Sequence, residues 1–307
     1  MQKANIPEAE PQATNRIKAI VLTIIAVTCF ALLDGTAKYL VSVEQLPVPQ
    51  VVWLRFLSQI VVVIAVVGAI RVPRMIKTQR LGHQLARGLL MLSATAFNMV
   101  ALRYLRLDQT TTILFLSPLV VALLAGPFLG EWVGWRRLIA IMIGFSGILI
   151  AIRPGFAEFH PAFILSLGCM LSYSGLILLT RYLGAHDSSE STLFYSMMLG
   201  AVVVAPFALM DWVSPDGVWA WIALCSMGIS AAVGHYLFIV AHRMAATAVL
   251  APFLYVQLVS VTAFGFIMFG DLPDRWTILG SAIIVASGIY LVHREHASRP
   301  PVQQPPA

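Results

Sequence analysis

Asp34, Lys38 and Arg55 are ionisable residues set in stretches that are otherwise apolar. A charge at the centre of a bilayer costs about 2.5–3.5 kcal/mol on insertion scales, so each needs a partner or a purpose. Asp34 and Lys38 are four residues apart and share a helix face, where they can form an ion pair. Lys38 and Arg55 also lie near the outer ends of their stretches, where long basic chains can snorkel to the interface. The functional alternative is that Asp34, one turn deeper than Lys38, lines a cavity and contacts a polar substrate or exchanges a proton. A second set adds hydrogen bonds and flat surfaces: Asn98, Tyr173 between Ser172 and Ser174, His235 with Tyr236, and Tyr255 with Gln257. Ring faces with a few fixed polar groups suit a planar heteroaromatic ligand. The plainer reading of the same residues is interhelical hydrogen bonding, with tyrosines in an interfacial belt.

Other constellations point to packing. Gly126 and Gly130 form a GxxxG with Pro127 between them, a pattern that lets helix backbones approach closely. Pro118 and Pro127 are also candidate hinges, and Pro252 is expected to bend the helix just before Tyr255 and Gln257. Gly144-Phe145-Ser146-Gly147 matches the GxSG of intramembrane serine proteases, with His235 as a candidate base. That reading is weak, because GxSG is a short string in a glycine-rich chain. Cys29, Cys169 and Cys225 show no pairable spacing and read as small core residues. The remaining histidines form no pair suited to a metal, and neither a metal nor a cofactor is expected.

The elements that must position these residues follow from composition. The chain of 307 residues is 59% hydrophobic and only 11% charged, with mean hydropathy +0.84. Soluble domains carry about 25% charged residues, so a single aqueous core, disorder and nucleic-acid binding are all excluded. Apolar blocks predict ten membrane-crossing helices, over 19–40, 50–70, 84–104, 112–130, 138–152, 161–179, 192–210, 219–240, 247–269 and 277–292. No removable signal peptide is expected, since the first apolar block lacks a small-residue cleavage site. With a cytoplasmic N-terminus, fourteen Lys and Arg fall inside and four outside, leaving Lys38 and Arg55 within the membrane. An even number of crossings returns the C-terminus to the cytoplasm.

Residues 98–150 align with 238–290 at a constant offset of 140. Ala101 and Arg103 fall on Ala241 and Arg243, and Gly130-Glu131 falls on Gly270-Asp271. Ser146 falls on Ala286, a further argument against a catalytic serine. Five helices per copy is an odd number, so the second copy enters the membrane from the opposite side. The expected fold is an all-α membrane protein, ten transmembrane helices as two inverted five-helix repeats. Residues 1–15 form a flexible tail, 16–153 the first repeat, 160–294 the second, and 295–307 a Pro-rich tail.

Leu116-Ser117-Pro118-Leu119, Val121-Ala122-Leu123-Leu124, Leu129-Gly130-Glu131, Phe269-Gly270-Asp271 and Ala286-Ser287-Gly288, in this order and spacing, resemble EamA-type members of the drug/metabolite transporter superfamily over residues 19–293. The resemblance implies a substrate cavity between two inverted bundles and transport of a small metabolite across the bacterial inner membrane. Leu107-Asp108-Gln109-Thr110-Thr111-Thr112 and Ala251-Pro252-Phe253-Leu254-Tyr255-Val256-Gln257-Leu258 are similar to the bacterial riboflavin importers of that superfamily. The second copy carries Leu258 where the first has Pro118, so a symmetric helix break is in question. Riboflavin uptake is the specific expectation; amino acids, nucleosides or S-adenosylmethionine, imported or exported, are the alternative. Expected partners are the lipid bilayer and the small-molecule substrate, with a homodimer left open. A membrane scaffold would instead scatter the polar residues toward partner domains.

Overall fold

The structure is a computed structural model that describes residues 9–68, 72–117, 119–121, 123–124, 135–153, 160–184, 186–244, 250 and 253–297. Pro118, Gly126, Pro127, Gly130 and Pro252, named above as hinge or packing positions, lie outside the described residues. The chain forms α1 (Ala9–Lys38, continued by a π-helical turn Tyr39–Val43), α2 (Val48–Val67), α3 (Val72–Met75), α4 (Leu81–Leu102), α5 (Leu107–Leu114) and α6 (Trp135–Ile152). After residue 160 come α7 (Ala162–Leu183), α8 (Ser189–Met210), α9 (Gly217–Met244), α10 (Val256–Phe269) and α11 (Arg275–Ala297). Among the described residues, six helical stretches are long and apolar enough to cross a membrane: Ile17–Val43, Val48–Val66, Leu81–Leu102, Ala162–Thr180, Glu190–Met210 and Gly217–Phe238. Three shorter apolar helices accompany them, Leu138–Ile152, Val256–Phe269 and Arg275–Tyr290, and a further apolar stretch begins at Leu107.

The first and last helices reach past the repeat bounds read from the sequence. α1 begins at Ala9, within the stretch read as a tail, and Pro11 falls in its first turn, where a missing backbone N–H costs no helical hydrogen bond. α11 runs on to Ala297, past residue 294. The fourth apolar stretch starts at Leu107, not at 112. Gln109 Oε1 accepts the Arg106 backbone N–H at 3.1 Å, and Asp108 lies in the first turn, where the helix dipole favours a carboxylate. The polarity of residues 108–112 disguised this turn, yet Asp108, Thr110, Thr111 and Thr112 are all buried.

The largest helix contacts join residues before 153 to residues after 160: α1 with α9 and α10, α2 with α8 and α9, α4 with α7 and α8, α6 with α11. The two sequence halves therefore pack against each other through their largest helix surfaces. The main core mixes both, with Ala31, Leu40, Phe56 and Leu107 packed among Leu176, Leu224, Met227 and Val261. Apolar residues such as Val66, Met142, Leu149, Ile164, Val202 and Ile267 are exposed on the outside, a surface suited to lipid.

The α6–α11 seam carries the internal symmetry. The helices run antiparallel: Arg153, just past α6, pairs with Asp274, just before α11, at 2.7 Å. Further along, a Cβ on Gly280 would meet the Gly147 carbonyl oxygen at 2.5 Å, and Ser287 donates a hydrogen bond to the Ala140 carbonyl. At an offset of 140, Ala140 is equivalent to Gly280 and Gly147 to Ser287, so these two contacts are reciprocal. The same holds for Gly147 with Ile284 and Gly144 with Ser287. Phe115 and Tyr255 are themselves equivalent and stack edge-on at 5.1 Å, each at a turn in its apolar stretch. Self-complementary pairs of this kind are what a two-fold axis produces.

Candidate functional site

Helices from both halves enclose a cavity of about 140 Å³, lined by Phe30, Leu33, Asp34 and Ala37 of α1, Arg55 of α2, Ala94, Thr95, Asn98 and Met99 of α4, and Leu114 of α5. The second half supplies Cys169 and Tyr173 of α7, His235 of α9 and Gln257 of α10. Asp34, Arg55, Asn98, Tyr173, His235 and Gln257, named from the sequence, thus meet in one space. Lys38, Tyr236 and Tyr255 do not line it. Tyr236 is 67% exposed on the outer surface. Tyr255 packs on Phe115, with its hydroxyl against Gly288.

Helical spacing explains the convergence. Phe30, Asp34 and Ala37 recur at four and three residues along α1, and Cys169 and Tyr173 lie one turn apart on α7. The same rule applied outward from Asp34, Asn98 and Tyr173 would have located Phe30, Thr95 and Cys169, which the sequence reading passed over. Cys169, read there as a plain core residue, is a cavity wall. Asp34 is nine residues before the Val43 end of its helix, a depth of about 14 Å at 1.5 Å per residue.

The polar groups inside the cavity form an ordered set. Asn98 Nδ2 donates to Asp34 Oδ1 at 3.0 Å. Arg55, 5% exposed, reaches Thr95 Oγ1 with Nη1 at 3.5 Å and attracts Asp34 from the neighbouring helix. The expected Asp34–Lys38 pair is not formed, and Arg55 stays inside without snorkelling. The aromatic wall is Phe30 with the His235 ring 4.9 Å away, beside Tyr173. Ligand pockets usually measure about 300–1,000 Å³, so this space must widen to admit a metabolite.

Lys38 lies one turn beyond Asp34 and bridges to Asp271 at 2.7 Å, with its ammonium 4.7 Å from the centre of the Phe269 ring. Gly270 makes the bridge attainable: its φ of +73° ends α10 in the left-handed conformation and turns Asp271 back so that its N–H bonds the Gly265 carbonyl. On the same face Arg153 pairs with Asp274, and Arg106 makes a two-point contact with Asp108 at 2.9 and 3.1 Å. A second cavity of about 280 Å³ lies between Arg106, Gln109, Arg153 and Asp274. Partial burial raises the Asp274 pKa, but hydrogen bonds from Thr277 and the charges of Arg153 and Arg106 outweigh it and hold the carboxyl below its usual range. His160 stacks on Tyr104 at 5.1 Å, so α7 starts at the face where α1 ends and runs in the opposite sense.

At the other face, Asp187 ties the halves together. It accepts from Thr78 Oγ1 at 2.5 Å, from the Gln79 N–H at 2.8 Å and from Gln84 Nε2 at 2.9 Å. Burial raises its pKa, but these hydrogen bonds together outweigh it, so the net direction is down. Arg87 donates to Thr180 Oγ1 at 2.7 Å and Ser196 Oγ at 2.5 Å, again across the halves.

The GxSG string has a structural account. Ser146 is exposed and donates to the Ile143 carbonyl of its own helix at 2.7 Å, whereas His235 faces the central cavity on α9. Gly144 and Gly147 face the seam, where Leu119 and the Gly280 backbone leave no room for a side chain. Among the described residues no group of three His, Cys, Asp or Glu is placed to hold a metal.

Comparison with known proteins follows the same lines. The EamA-like transporter family matches residues 17–153 and again 160–293. A riboflavin transporter of Vibrio cholerae is 28% identical over 271 residues, 87% of this chain and 90% of that protein. An S-adenosylmethionine uptake transporter of Rickettsia felis is 27% identical over 72% of this chain and 74% of its own. A pseudopaline exporter of Pseudomonas aeruginosa is 23% identical over 62% of this chain and 68% of its own. One crystal structure superposes with a TM-score of 0.58 at 15% identity, covering 92% of this chain and 98% of that one.

Proposed function

The chain belongs to the EamA-like transporter family, a membrane transporter of that type, and from this membership we propose that it takes up riboflavin across the bacterial inner membrane by alternating access. The observation that carries the reading is the cavity: both halves contribute its walls, and six separately placed polar residues converge in it. A scaffold would have no reason to gather a carboxylate, a guanidinium, two amides and three rings at one depth. The full reading has ten crossings in two inverted repeats with both termini cytoplasmic, supported by the reciprocal contacts across the α6–α11 seam and by the opposite senses of α1 and α7. Riboflavin is favoured by the aromatic wall beside polar groups and by the riboflavin transporter matched along 87% of the chain.

Transport requires each face to open in turn. Here the Lys38–Asp271 and Arg153–Asp274 pairs join the two halves at one face, and the Asp187 hydrogen bonds join them at the other. A second reading, S-adenosylmethionine uptake, draws on Asp34 and Arg55, which also suit the ammonium and carboxylate of an amino-acid head group. Expression in a riboflavin auxotroph separates the two. Growth at low riboflavin with accumulation of labelled vitamin is the expected result. Accumulation of labelled S-adenosylmethionine without riboflavin uptake would replace the reading.

A further inference from the structure

The polar groups of the cavity alternate in a way that selects one kind of ligand edge. Asp34 is an acceptor: one carboxylate oxygen takes the Asn98 amide hydrogen at 3.0 Å, and among the described residues no donor is bonded to the other. Asn98 keeps a second amide hydrogen. Among the described residues Arg55 donates one hydrogen bond, to Thr95 at 3.5 Å, out of the five N–H donors a guanidinium carries. Around this point the cavity thus offers donor, acceptor, donor. Its walls are flat or apolar: Phe30, Leu33, Met99, Leu114, Tyr173 and His235.

We propose that Asn98, Asp34 and Arg55 together read a cyclic imide edge, the dioxopyrimidine side of an isoalloxazine ring. That edge presents a carbonyl, an N–H and a second carbonyl in a row. The N–H donates to Asp34, and the flanking carbonyls accept from Asn98 and Arg55. Asp34 and Arg55 compensate each other's charge, so a neutral ligand adds no uncompensated charge to the interior. The aromatic wall stacks on the ring system. The ribityl chain is left outside this recognition, so analogues altered there are tolerated better than analogues altered at the imide nitrogen. This inference rests on the riboflavin reading and adds to it the edge that is recognised and the residues that recognise it.

The test uses the full-length protein reconstituted in liposomes and measures uptake of labelled riboflavin against unlabelled competitors. Riboflavin methylated at N3 lacks the donor and places a methyl group against Asp34; it should compete about tenfold or more weakly than riboflavin, as expected where a site built to bond an N–H meets an analogue without it. Lumichrome, which lacks the ribityl chain but keeps the imide, should compete well. Asp34→Asn should lower riboflavin uptake and shrink the preference over the N3-methyl analogue, a ratio that an unfolded fraction does not change. Riboflavin uptake with equal competition by the N3-methyl compound overturns the imide assignment and leaves the transport reading standing. Absence of riboflavin uptake by wild-type protein overturns that reading itself, and this inference with it.

Discussion

Arg55 is held inside the protein at the level of Asp34, hydrogen-bonded to the Thr95 hydroxyl and with the carboxylate as its countercharge. Removing one member of a buried charge pair leaves the other uncompensated, a cost of about 3–5 kcal/mol, whereas replacing both by neutral groups is often nearly neutral. Arg55→Met should therefore destabilise the detergent-solubilised protein in thermal unfolding more than the double substitution Asp34→Asn with Arg55→Met. A single variant as stable as wild type would show that the pair is not coupled. Ser146→Ala should leave both transport and stability near wild type, since its hydroxyl only back-bonds within α6 on an exposed face.

Elements meet here through surfaces with almost no slack. α6 and α11 approach at Gly147 and Gly280, where an added Cβ would fall 2.5 Å from a backbone oxygen on one side and 2.9 Å on the other. Gly280→Ala and Gly147→Ala should each cost about 1–3 kcal/mol of stability, the usual penalty for overpacking. The ends of the elements make a different prediction. Lys38→Ala removes the α1–α10 bridge, and in a chain with Cys29→Ser and Cys225→Ser it should speed labelling of Cys169 by a water-soluble maleimide added from the Lys38 face. Unchanged labelling would mean that the bridge does not close that face.

Acidity acts at both faces in the same sense. Asp274 and Asp187 have carboxyl pKa values below the ordinary one, near 4, so they bind fewer protons folded than unfolded. Their contribution to stability is complete above that ordinary value and is lost as pH falls through the lowered folded values. Thermal stability should accordingly hold from pH 7 to about 5 and drop below about 4. Asp187→Asn should flatten that acid drop.

For the whole molecule, the controlling feature is that the largest helix contacts run between the sequence halves and not within them. Neither half can be expected to fold alone, and separately expressed segments 1–153 and 160–307 should regain transport only when made together. Reporter fusions at the two termini should both read cytoplasmic; opposite readings would require an odd number of crossings and would remove the inverted arrangement.

How much of this was legible beforehand differs by feature. Hydropathy located the apolar stretches because lipid demands long apolar helices whatever their neighbours. It misplaced the start of α5, since residues 108–111 are polar and fall outside an apolar block, whereas Asp108, paired with Arg106, and Thr110 and Thr111 are buried. The offset of 140 could be read because an internal repeat keeps its register in the chain, and the reciprocal contacts at Ala140, Gly147, Gly280 and Ser287 follow that same register. Asp34 and Arg55 stood out as charges in apolar surroundings, but their partners did not. Lys38 shares a helix face with Asp34, yet its carboxylate comes from Asp271, brought close by the left-handed turn at Gly270. Local spacing determines which face of a helix a residue occupies. Which distant helix covers that face, and hence whether Cys169 is core or cavity wall, depends on packing between segments far apart in the chain, and only the tertiary structure decides it.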